Sequence, residues 1–191
     1  MGPGEKWPAT PSDVNTPEPG GGPRVAVLTV SDRSASGERD DLSGPALVAA
    51  LTEVLGWACT AAATVPDDHA QIRAQLCRWA DHEGMQLILT TGGTGFAPRD
   101  VTPEATRAAI EREAPGLMEA IRAAGQQITS YAMLSRAVAG IREKCLIINL
   151  PGNPKAVREA LAVLTPVLPH ALDVLAGEST PELHAHRPSP A

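Results

Sequence analysis

The stretch that decides the fold of this chain is Leu87-Ile88-Leu89-Thr90-Thr91-Gly92-Gly93-Thr94-Gly95-Phe96-Ala97-Pro98-Arg99-Asp100-Val101-Thr102-Pro103-Glu104-Ala105. It begins with a short apolar and β-branched run, which is typical of a buried strand in a parallel sheet, and we place that strand at 86–90. Glycines and threonines follow, so the backbone can turn sharply and approach a ligand closely. A helix is predicted next, with Thr102 as its N-cap and Pro103 as its first residue. Open α/β sheets bind ligands at the carboxyl ends of their strands, so this loop is the first candidate site.

Neither common nucleotide-binding motif fits this loop. A P-loop needs a lysine after its glycines, and none follows Gly95; a dinucleotide fingerprint needs a third glycine where Pro98 stands. A tight turn without a ligand is the plain structural alternative. Such a turn needs one or two glycines, whereas this loop has three, with two threonines and the pair Arg99-Asp100 beside them. We therefore interpret it as a ligand site of another kind.

Composition and charge restrict the classes of function. The chain has 191 residues and a formal net charge of -6, with no basic patch, so we expect no nucleic-acid partner. An anionic ligand would depend on local cations such as Arg99, Arg136 or Lys155 and on backbone amides. No apolar run approaches the length of a membrane span, and no signal or transit peptide is recognisable. The three cysteines lack a metal-type spacing, so we expect reduced cysteines and a cytoplasmic location.

The predicted organisation is one domain between two tails. Residues 1–23 are rich in Pro, Gly, Thr and Ser and are predicted to be disordered, and 178–191 form a polar C-terminal tail. Strands alternate with helices over 24–177, which indicates an α/β fold, a three-layer α/β/α sandwich on a mostly parallel sheet. The sheet is expected to be mixed, because two strands joined through Glu143 form an antiparallel pair.

The other elements are placed from apolar periodicity and caps. The predicted strands are 24–30, 58–65, 138–142 and 144–150, and the predicted helices run from Ser43 or Gly44 to about Leu55, through Ile72 to Ala80, from Leu117 to about Ala124, and onward from Pro154. Ala114-Pro115-Gly116 is predicted to interrupt the helix after Pro103, and Pro166 and Pro169 are predicted to break the last helical segment.

Polar residues follow the other predicted strands as well. Pro66-Asp67-Asp68 follows the second strand; Asp68 is the expected N-cap, and on spacing alone Asp67 is a cap or first-turn acid. The acidic group Glu38, Asp40 and Asp41 is either a solvated loop or a cation ligand. After the last strand, Asn153 is predicted to cap a helix whose free amides favour an anion.

Several of these segments resemble one family. Thr91-Gly92-Gly93-Thr94-Gly95 followed by Arg99-Asp100-x-Thr102-Pro103-Glu104-Ala105-Thr106 resembles the signature of the molybdopterin adenylyltransferases, which include bacterial MogA and MoaB and the gephyrin G domain. Further resembling segments are Ser31-Asp32-Arg33, Ser36-Gly37, Asp41-x-x-Gly44-Pro45, Leu134-Ser135-Arg136 and Pro151-Gly152-Asn153-Pro154. The resemblance extends over roughly 25–175, nearly the whole predicted domain. One departure is Leu42, where many relatives have a basic residue.

The resemblance implies a molybdopterin-binding-like fold and Mg-ATP-dependent adenylylation of molybdopterin, which releases pyrophosphate. It implies Asp67 and Asp100 as catalytic carboxylates and Mg²⁺ ligands, since Mg²⁺ prefers carboxylate and phosphate oxygens. The implied pterin, phosphate and ATP site comprises Ser31, Asp32, Ser36, Gly37, Thr91, Gly92, Gly93, Thr94, Gly95, Ser135, Arg136, Pro151, Gly152, Asn153 and Lys155. A homotrimer and a downstream molybdenum-insertion protein as partner are implied too.

Alternatives stay open at this stage. The chain is an enzyme, a pterin-binding scaffold without turnover, or another nucleotide- or phosphate-dependent transferase. Arg136 is either a surface arginine or a clamp on a phosphate. Besides its implied role, Asp100 is a candidate for a salt bridge with Arg99 or for a hydrogen bond within the loop.

Overall fold

The computed structural model describes residues 22–177, and the statements below concern that part of the chain. The strands are β1 Val25–Val30, β2 Cys59–Val65, β3 Leu87–Thr91, β4 Arg112–Glu113, β5 Ala139–Arg142 and β6 Cys145–Leu150. The helices are α1 Asp32–Ala35, α2 Ser43–Ala50, α3 His69–Asp81, α4 Thr102–Ala109, α5 Pro115–Gln126, α6 Pro154–Leu164 and α7 Leu168–Ala176, with a π-helical turn at Leu51–Leu55 and a 3₁₀ helix at Ser130–Leu134. The two predicted tails lie outside the described residues, apart from Gly22 and Pro23.

The strands form one mixed sheet in the order β2-β1-β3-β6-β5-β4. β1 lies parallel to β2 and β3, and β3 lies parallel to β6. β5 pairs antiparallel with β6 and with β4. The prediction of a mostly parallel sheet with an antiparallel pair joined through Glu143 is confirmed. The two-residue strand β4 was not predicted, because it is too short to show a periodicity.

Helices cover both faces of the sheet because its central strands are apolar on both faces. In β1, Val25 and Val27 belong to one core cluster, while Ala26 and Leu28 belong to the other. Helices α2, α5, α6 and α7 contribute to the first cluster, and α3 and α4 contribute to the second. A parallel strand buried on both faces reads as a continuous apolar run, which is the pattern seen in the sequence. The predicted three-layer sandwich is therefore confirmed.

One predicted cap is wrong, and the reason lies in the glycine loop. Helix α4 begins at Thr102, with Val101 at the N-cap, so Pro103 is its second residue. The Thr102 hydroxyl donates to the Gly92 carbonyl at 3.0 Å, and the Thr102 amide donates to the Gly93 carbonyl at 3.1 Å. The buried Thr102 thus binds the helix start to the loop. A local sequence pattern cannot show this contact, because it joins residues that lie ten positions apart.

Smaller differences concern element ends. Strand β3 lies one residue later than predicted. Helix α5 begins at Pro115 rather than after the predicted break, since proline fits the first turn of a helix. Pro169 likewise lies in the first turn of α7. Of the two prolines predicted to break the last helical segment, only Pro166 therefore lies between α6 and α7. The caps Asp68 and Asn153 are confirmed by hydrogen bonds to the amides of Gln71 and Lys155, both at 2.9 Å.

A buried polar network fixes α4 against the sheet. The fully buried Asn149 donates to the hydroxyls of Thr90 and Thr106, at 3.0 and 2.9 Å, and accepts from the Val138 amide at 3.1 Å. Buried polar groups are stable only when they are paired, and this amide is paired on both ends. The network therefore holds β3, β6 and α4 in one arrangement beside the glycine loop.

Within residues 22–177, no single helix is long and apolar enough to span a membrane; the bent pair Pro154–Leu164 and Leu168–Ala176 meets that test only when both helices are counted together.

Candidate active site

The loops after β1, β2, β3 and β6 meet at one edge of the sheet, because these strands are parallel. The chain order changes direction between β1 and β3, and this switch point is where open α/β sheets bind ligands. A Cβ on Gly92 would collide with the Val30 carbonyl, and one on Gly152 would lie 3.2 Å from the Gly92 Cα. The Thr91 hydroxyl donates to the Pro151 carbonyl at 2.7 Å. Three of the predicted loops therefore touch through their backbones.

The glycine loop needs glycine at two positions. Gly92 and Gly93 have φ values of +98° and +61°, a region that side chains with a Cβ rarely occupy. A Cβ on Gly93 would also contact the Thr102 hydroxyl and would lie 2.8 Å from Asp67 Oδ1. The carboxylate that follows β2 thus lies directly against the glycine loop that follows β3.

Asp67 is held by a reciprocal pair of hydrogen bonds with Asp32. The Asp32 amide donates to Asp67 Oδ2 at 2.9 Å, and the Asp67 amide donates to Asp32 Oδ1 at 3.0 Å. Arg99 donates from Nε and Nη2 to the two Asp32 oxygens, at 3.0 and 2.7 Å. The hydrogen bonds from Arg99 are the main reason why the pKa of Asp32 lies below its ordinary value. Asp32, predicted to bind substrate, therefore joins Asp67 to the glycine loop.

The alternatives left open for Asp100 are resolved by the same contacts. Arg99 pairs with Asp32, so the alternative of an Arg99–Asp100 salt bridge is wrong. Asp100 instead accepts a hydrogen bond from the Ala97 amide to Oδ2 at 2.8 Å, which closes the loop on itself. A Cβ on Gly95 would lie 2.9 Å from the same oxygen. The hydrogen bond within the loop is thus confirmed, and the carboxylate lies beside the third glycine.

Asp67 and Asp100 form an electronegative centre beside the glycine loop. Burial raises the pKa of the half-buried Asp67 above its ordinary value, and the charges of Asp32 and Asp100 raise it further. Like charges held together beside a glycine loop favour a bound cation. No group of three or more His, Cys, Asp or Glu suited to a metal occurs in residues 22–177. Mg²⁺ commonly takes only one or two carboxylates together with substrate phosphates, so Asp67 and Asp100 fit that ion.

The raised pKa of Asp67 leads to a prediction about how the stability of the fold depends on pH. A carboxyl whose folded-state pKa is raised adds stability only while protonated, and this stability is lost as the pH rises through the folded-state pKa. At pH 7 the ionised Asp67 should therefore weaken the fold, and Asp67→Asn should raise Tm by about 1 to 3 °C. The gain should disappear when the pH is lowered toward the ordinary carboxyl pKa of 3.8.

Thermal melts from pH 7 to pH 4 measure this effect. Asp68→Asn is the matched control. It removes the same charge from the neighbouring residue, and asparagine caps a helix as well as aspartate does. We expect no gain in Tm from that control. A Tm of Asp67→Asn below the wild-type value at pH 7 would contradict the conclusion that the ionised Asp67 weakens the fold.

An apolar cavity of about 590 Å³ opens beside the glycine loop. At one end it is lined by the predicted site residues Thr94, Gly95, Ser135, Pro151 and Gly152. Helices α5 and α6 and the 3₁₀ helix form its other walls, for example through Ile121, Val163 and Leu134. Its size is typical of small-molecule sites. These walls were not predicted, because only tertiary packing brings α5 and the 3₁₀ helix to the loop.

A smaller cavity of about 110 Å³ is lined by Gly92, Gly152 and Ser31. Ser31 caps α1, because its hydroxyl accepts from the Ser34 amide at 3.3 Å. The predicted Ser36 and Gly37 form the turn after α1, and the exposed Ser36 hydroxyl donates to the Arg33 carbonyl at 3.2 Å. Ser31, Ser34 and residues 39–43 of the polar loop line this cavity, whereas Ser36 and Gly37 do not.

Two other predicted groups have more local roles. Asp41 accepts from the amides of Ser43 and Gly44, both at 3.0 Å, and from the Thr29 hydroxyl at 2.6 Å. It thus fixes the start of α2 against β1, a role that the two alternatives for the acidic loop did not include. Lys155 is exposed, and its ammonium forms an ion pair with Glu159 one turn along α6 at 3.8 Å.

The Arg136 guanidinium is not free at the surface, because it is hydrogen-bonded to the glycine loop and to α4, whereas its role as a clamp on a phosphate stays a prediction. Its guanidinium donates from Nε to the Gly95 carbonyl at 2.7 Å, from Nη2 to the Asp100 carbonyl and from Nη1 to Glu104. Its amide donates to the Thr94 carbonyl at 2.9 Å. All four groups that it contacts belong to the glycine loop or to the start of α4.

The fold and the site define an α/β domain with a glycine loop and paired carboxylates at the switch point, a class suited to ligands that bear phosphate. Residues 26–170 match the family model described as a probable molybdopterin binding domain. The molybdopterin adenylyltransferase of Helicobacter pylori J99 is 41% identical over 154 residues, which cover 80% of this chain and 88% of that protein. The chain therefore belongs to the molybdopterin adenylyltransferase family of molybdenum cofactor biosynthesis.

Other comparisons agree with this family. The gephyrin of Dictyostelium discoideum is 44% identical over 172 residues, which cover 84% of this chain but only 24% of that longer protein. The crystal structure of the molybdopterin biosynthesis enzyme MoaB from Thermus thermophilus superposes with a TM-score of 0.76 at 50% identity, covering 81% of this chain and 97% of MoaB. A structure of MogA gives a TM-score of 0.74 at 38% identity, with 80% and 99% covered. The molybdopterin-binding fold predicted from the sequence is thus confirmed.

Proposed function

We propose that this chain transfers the adenylyl group of ATP to molybdopterin in a Mg²⁺-dependent reaction. An oxygen of the terminal phosphate of molybdopterin forms a bond to the α-phosphorus of ATP, and the bond from that phosphorus to the bridging oxygen breaks. The products are adenylyl-molybdopterin and pyrophosphate. The observation that supports this best is the pair Asp67 and Asp100 on either side of a glycine loop, next to an apolar cavity.

In this proposal the cavity binds the pterin ring and the glycine loop binds the phosphate. The apolar walls beside Gly95 and Ser135 suit the flat pterin, whose phosphate would then lie near the loop amides. The hydroxyl of Thr94 and the amide end of α6, with Lys155, add donors for phosphate oxygens. Phosphoryl-type transfer needs positioning and charge neutralisation more than covalent chemistry from the protein. Rigid backbone contacts between the loops provide that positioning.

Asp67 and Asp100 would hold Mg²⁺, and the ion, when bound, neutralises charge on the triphosphate and on the leaving pyrophosphate. The protein sets the geometry of both carboxylates beforehand. Asp67 is fixed by the reciprocal hydrogen bonds with Asp32, and Asp100 is fixed by the Ala97 amide. Arg99 keeps Asp32 ionised, so its carboxylate continues to accept from the Asp67 amide.

Purified protein incubated with molybdopterin, ATP and Mg²⁺ tests this proposal. We expect pyrophosphate and adenylyl-molybdopterin to appear together, and we expect both to disappear when the metal is chelated. Pterin binding without either product would favour a scaffold.

We further propose a homotrimer. Its support is the family resemblance together with exposed apolar side chains beside the cavity, at Ile128, Tyr131, Met133 and Leu134. Exposed apolar clusters of this kind commonly mark contacts between proteins. Light scattering at micromolar concentration should give three times the chain mass of 19.9 kDa.

Tyr131→Glu should shift that mass toward the monomer, because it places a charge within the apolar cluster. Val54→Glu is the control, since Val54 is exposed on the π-helical turn after α2. A monomeric wild-type protein would contradict the trimer. A cytoplasmic location and delivery of the product to a molybdenum-insertion protein complete the proposal. The location rests on the cysteines, and the delivery rests on the resemblance.

A further inference from the structure

Arg136 connects the two ends of the glycine loop. Its amide and its Nε donate to the carbonyls of Thr94 and Gly95, in the first half of the loop, at 2.9 and 2.7 Å. Its Nη2 contacts the Asp100 carbonyl, where the loop ends, and its Nη1 contacts Glu104 on α4. A single residue from the segment before β5 thus spans the loop from Thr94 to Asp100.

These contacts leave the functional groups of the loop free. Arg136 donates to backbone carbonyls of the loop, so it leaves the loop amides available to a ligand. The Asp100 side chain is not touched by the guanidinium, which bonds only to the Asp100 carbonyl. Asp100 itself accepts from the Ala97 amide through Oδ2, and its own amide donates to the Ala97 carbonyl at 2.9 Å, so 97–100 is a closed turn.

We propose that Arg136 is a positioning residue that sets the place of the Asp100 carboxylate by bracing the glycine loop through its carbonyls. The consequence for turnover rests on the proposed adenylyl transfer, whereas the brace itself does not. Lysine cannot replace this arginine fully, because one ammonium cannot reach three acceptors in the plane that the guanidinium fork spans. Arg136 therefore acts through Asp100 and does not bind a phosphate of the substrate.

The variants are Arg136→Lys and Arg136→Gln, with Arg107→Lys and Arg107→Gln as matched controls. Arg107 lies on α4 and forms an exposed ion pair with Glu113 at 3.3 Å, away from the loop carbonyls. The first readout is limited trypsin digestion of the full chain at the bond after Arg99, which is exposed on the loop. Loss of the brace should speed this cleavage on the order of tenfold in Arg136→Gln, because local opening governs proteolysis.

The second readout separates kcat from KM. In Arg136→Gln, kcat should fall roughly 30- to 100-fold, the scale of a misplaced catalytic group, and in Arg136→Lys roughly tenfold. KM for ATP and the Kd for molybdopterin should stay within about threefold, and the Mg²⁺ concentration for half-maximal rate should rise, since a displaced Asp100 holds the metal less well. Both Arg107 variants should match the wild type in every readout.

Three results would overturn the proposal. Unchanged cleavage after Arg99 in both Arg136 variants would show that no brace exists. A raised KM or Kd with kcat retained would show that Arg136 contacts the substrate instead. Faster cleavage with unchanged kcat would show that the brace does not position Asp100.

The trypsin readout also separates this inference from the proposed function. If the wild type shows no turnover, the adenylyl-transfer proposal fails, whereas the cleavage rates still decide whether the brace exists. If Arg136→Gln does not fold, as judged by circular dichroism, Arg136→Lys decides both questions, because it keeps the charge and much of the side-chain length.

Discussion

Asp100→Asn should lower adenylyl transfer by about 100-fold or more, the scale of losing one preorganised electrostatic group. The substitution keeps the size of the side chain, and its carboxamide oxygen can still accept from the Ala97 amide, which now donates to Oδ2 at 2.8 Å. Only the negative charge is lost. Molybdopterin affinity should stay within a few-fold or increase, because a like charge facing the pterin phosphate is removed. Single-turnover rates and equilibrium pterin binding measure the two effects separately.

Asp68→Asn is again the control, since it removes the same charge from the cap of α3 without touching the glycine loop. Asp67→Asn should behave like Asp100→Asn, and the double variant should cost less than the sum of the two if both acids serve one metal ion. The mechanism would be wrong if Asp100→Asn lost pterin binding but kept its rate at saturating substrate. In that case Asp100 would be a binding residue.

Gly93→Val should abolish pterin binding while the fold survives. Gly93 has a φ of +61°, and its added Cβ would contact the Thr102 hydroxyl and lie 2.8 Å from Asp67 Oδ1. The variant therefore combines backbone strain with displacement of a proposed catalytic carboxylate and of the start of α4. Pterin titration followed by fluorescence, with circular dichroism as the check on folding, gives the result.

Gly56→Val separates strain from contact. Gly56 has a similar φ of +68°, but a Cβ there would meet nothing within 4 Å. Its cost is of the order of 1 to 2 kcal/mol in stability, the scale of a left-handed residue with a side chain. We expect this control to bind pterin normally. Unchanged pterin affinity in folded Gly93→Val would remove the glycine loop from the site.

Local patterns predicted much of the fold. The apolar run before Gly92 predicted a buried parallel strand, because such a strand must be apolar on both faces. The caps Asp68 and Asn153 were predictable, since a cap is recognised by the residues that follow it within one turn. The mixed sheet followed from two neighbouring strands whose connection, Glu143 and Lys144 in the structure, is too short for a crossover helix.

Contacts between distant segments were not predictable. The pairing of Arg99 with Asp32 joins residues that lie 67 positions apart, and no local pattern indicated it in place of the neighbouring Asp100. Arg136 likewise reaches Gly95 across 41 positions. The wrong prediction of Thr102 as an N-cap has the same origin, because its hydroxyl donates to the Gly92 carbonyl and does not cap its own helix. The chemistry at each strand end was visible in the sequence, whereas the partners that orient it were not.

The central claim is that this chain transfers an adenylyl group, and one measurement tests it most directly. ATP labelled at the α-phosphorus is mixed with molybdopterin, Mg²⁺ and excess wild-type protein, and the label and pyrophosphate are followed through a single turnover. We predict that the label appears on the pterin with one pyrophosphate released for each labelled pterin, and that Asp100→Asn slows both products equally. Bound molybdopterin with all of the label remaining in ATP would contradict the claim and would identify the chain as a pterin-binding scaffold.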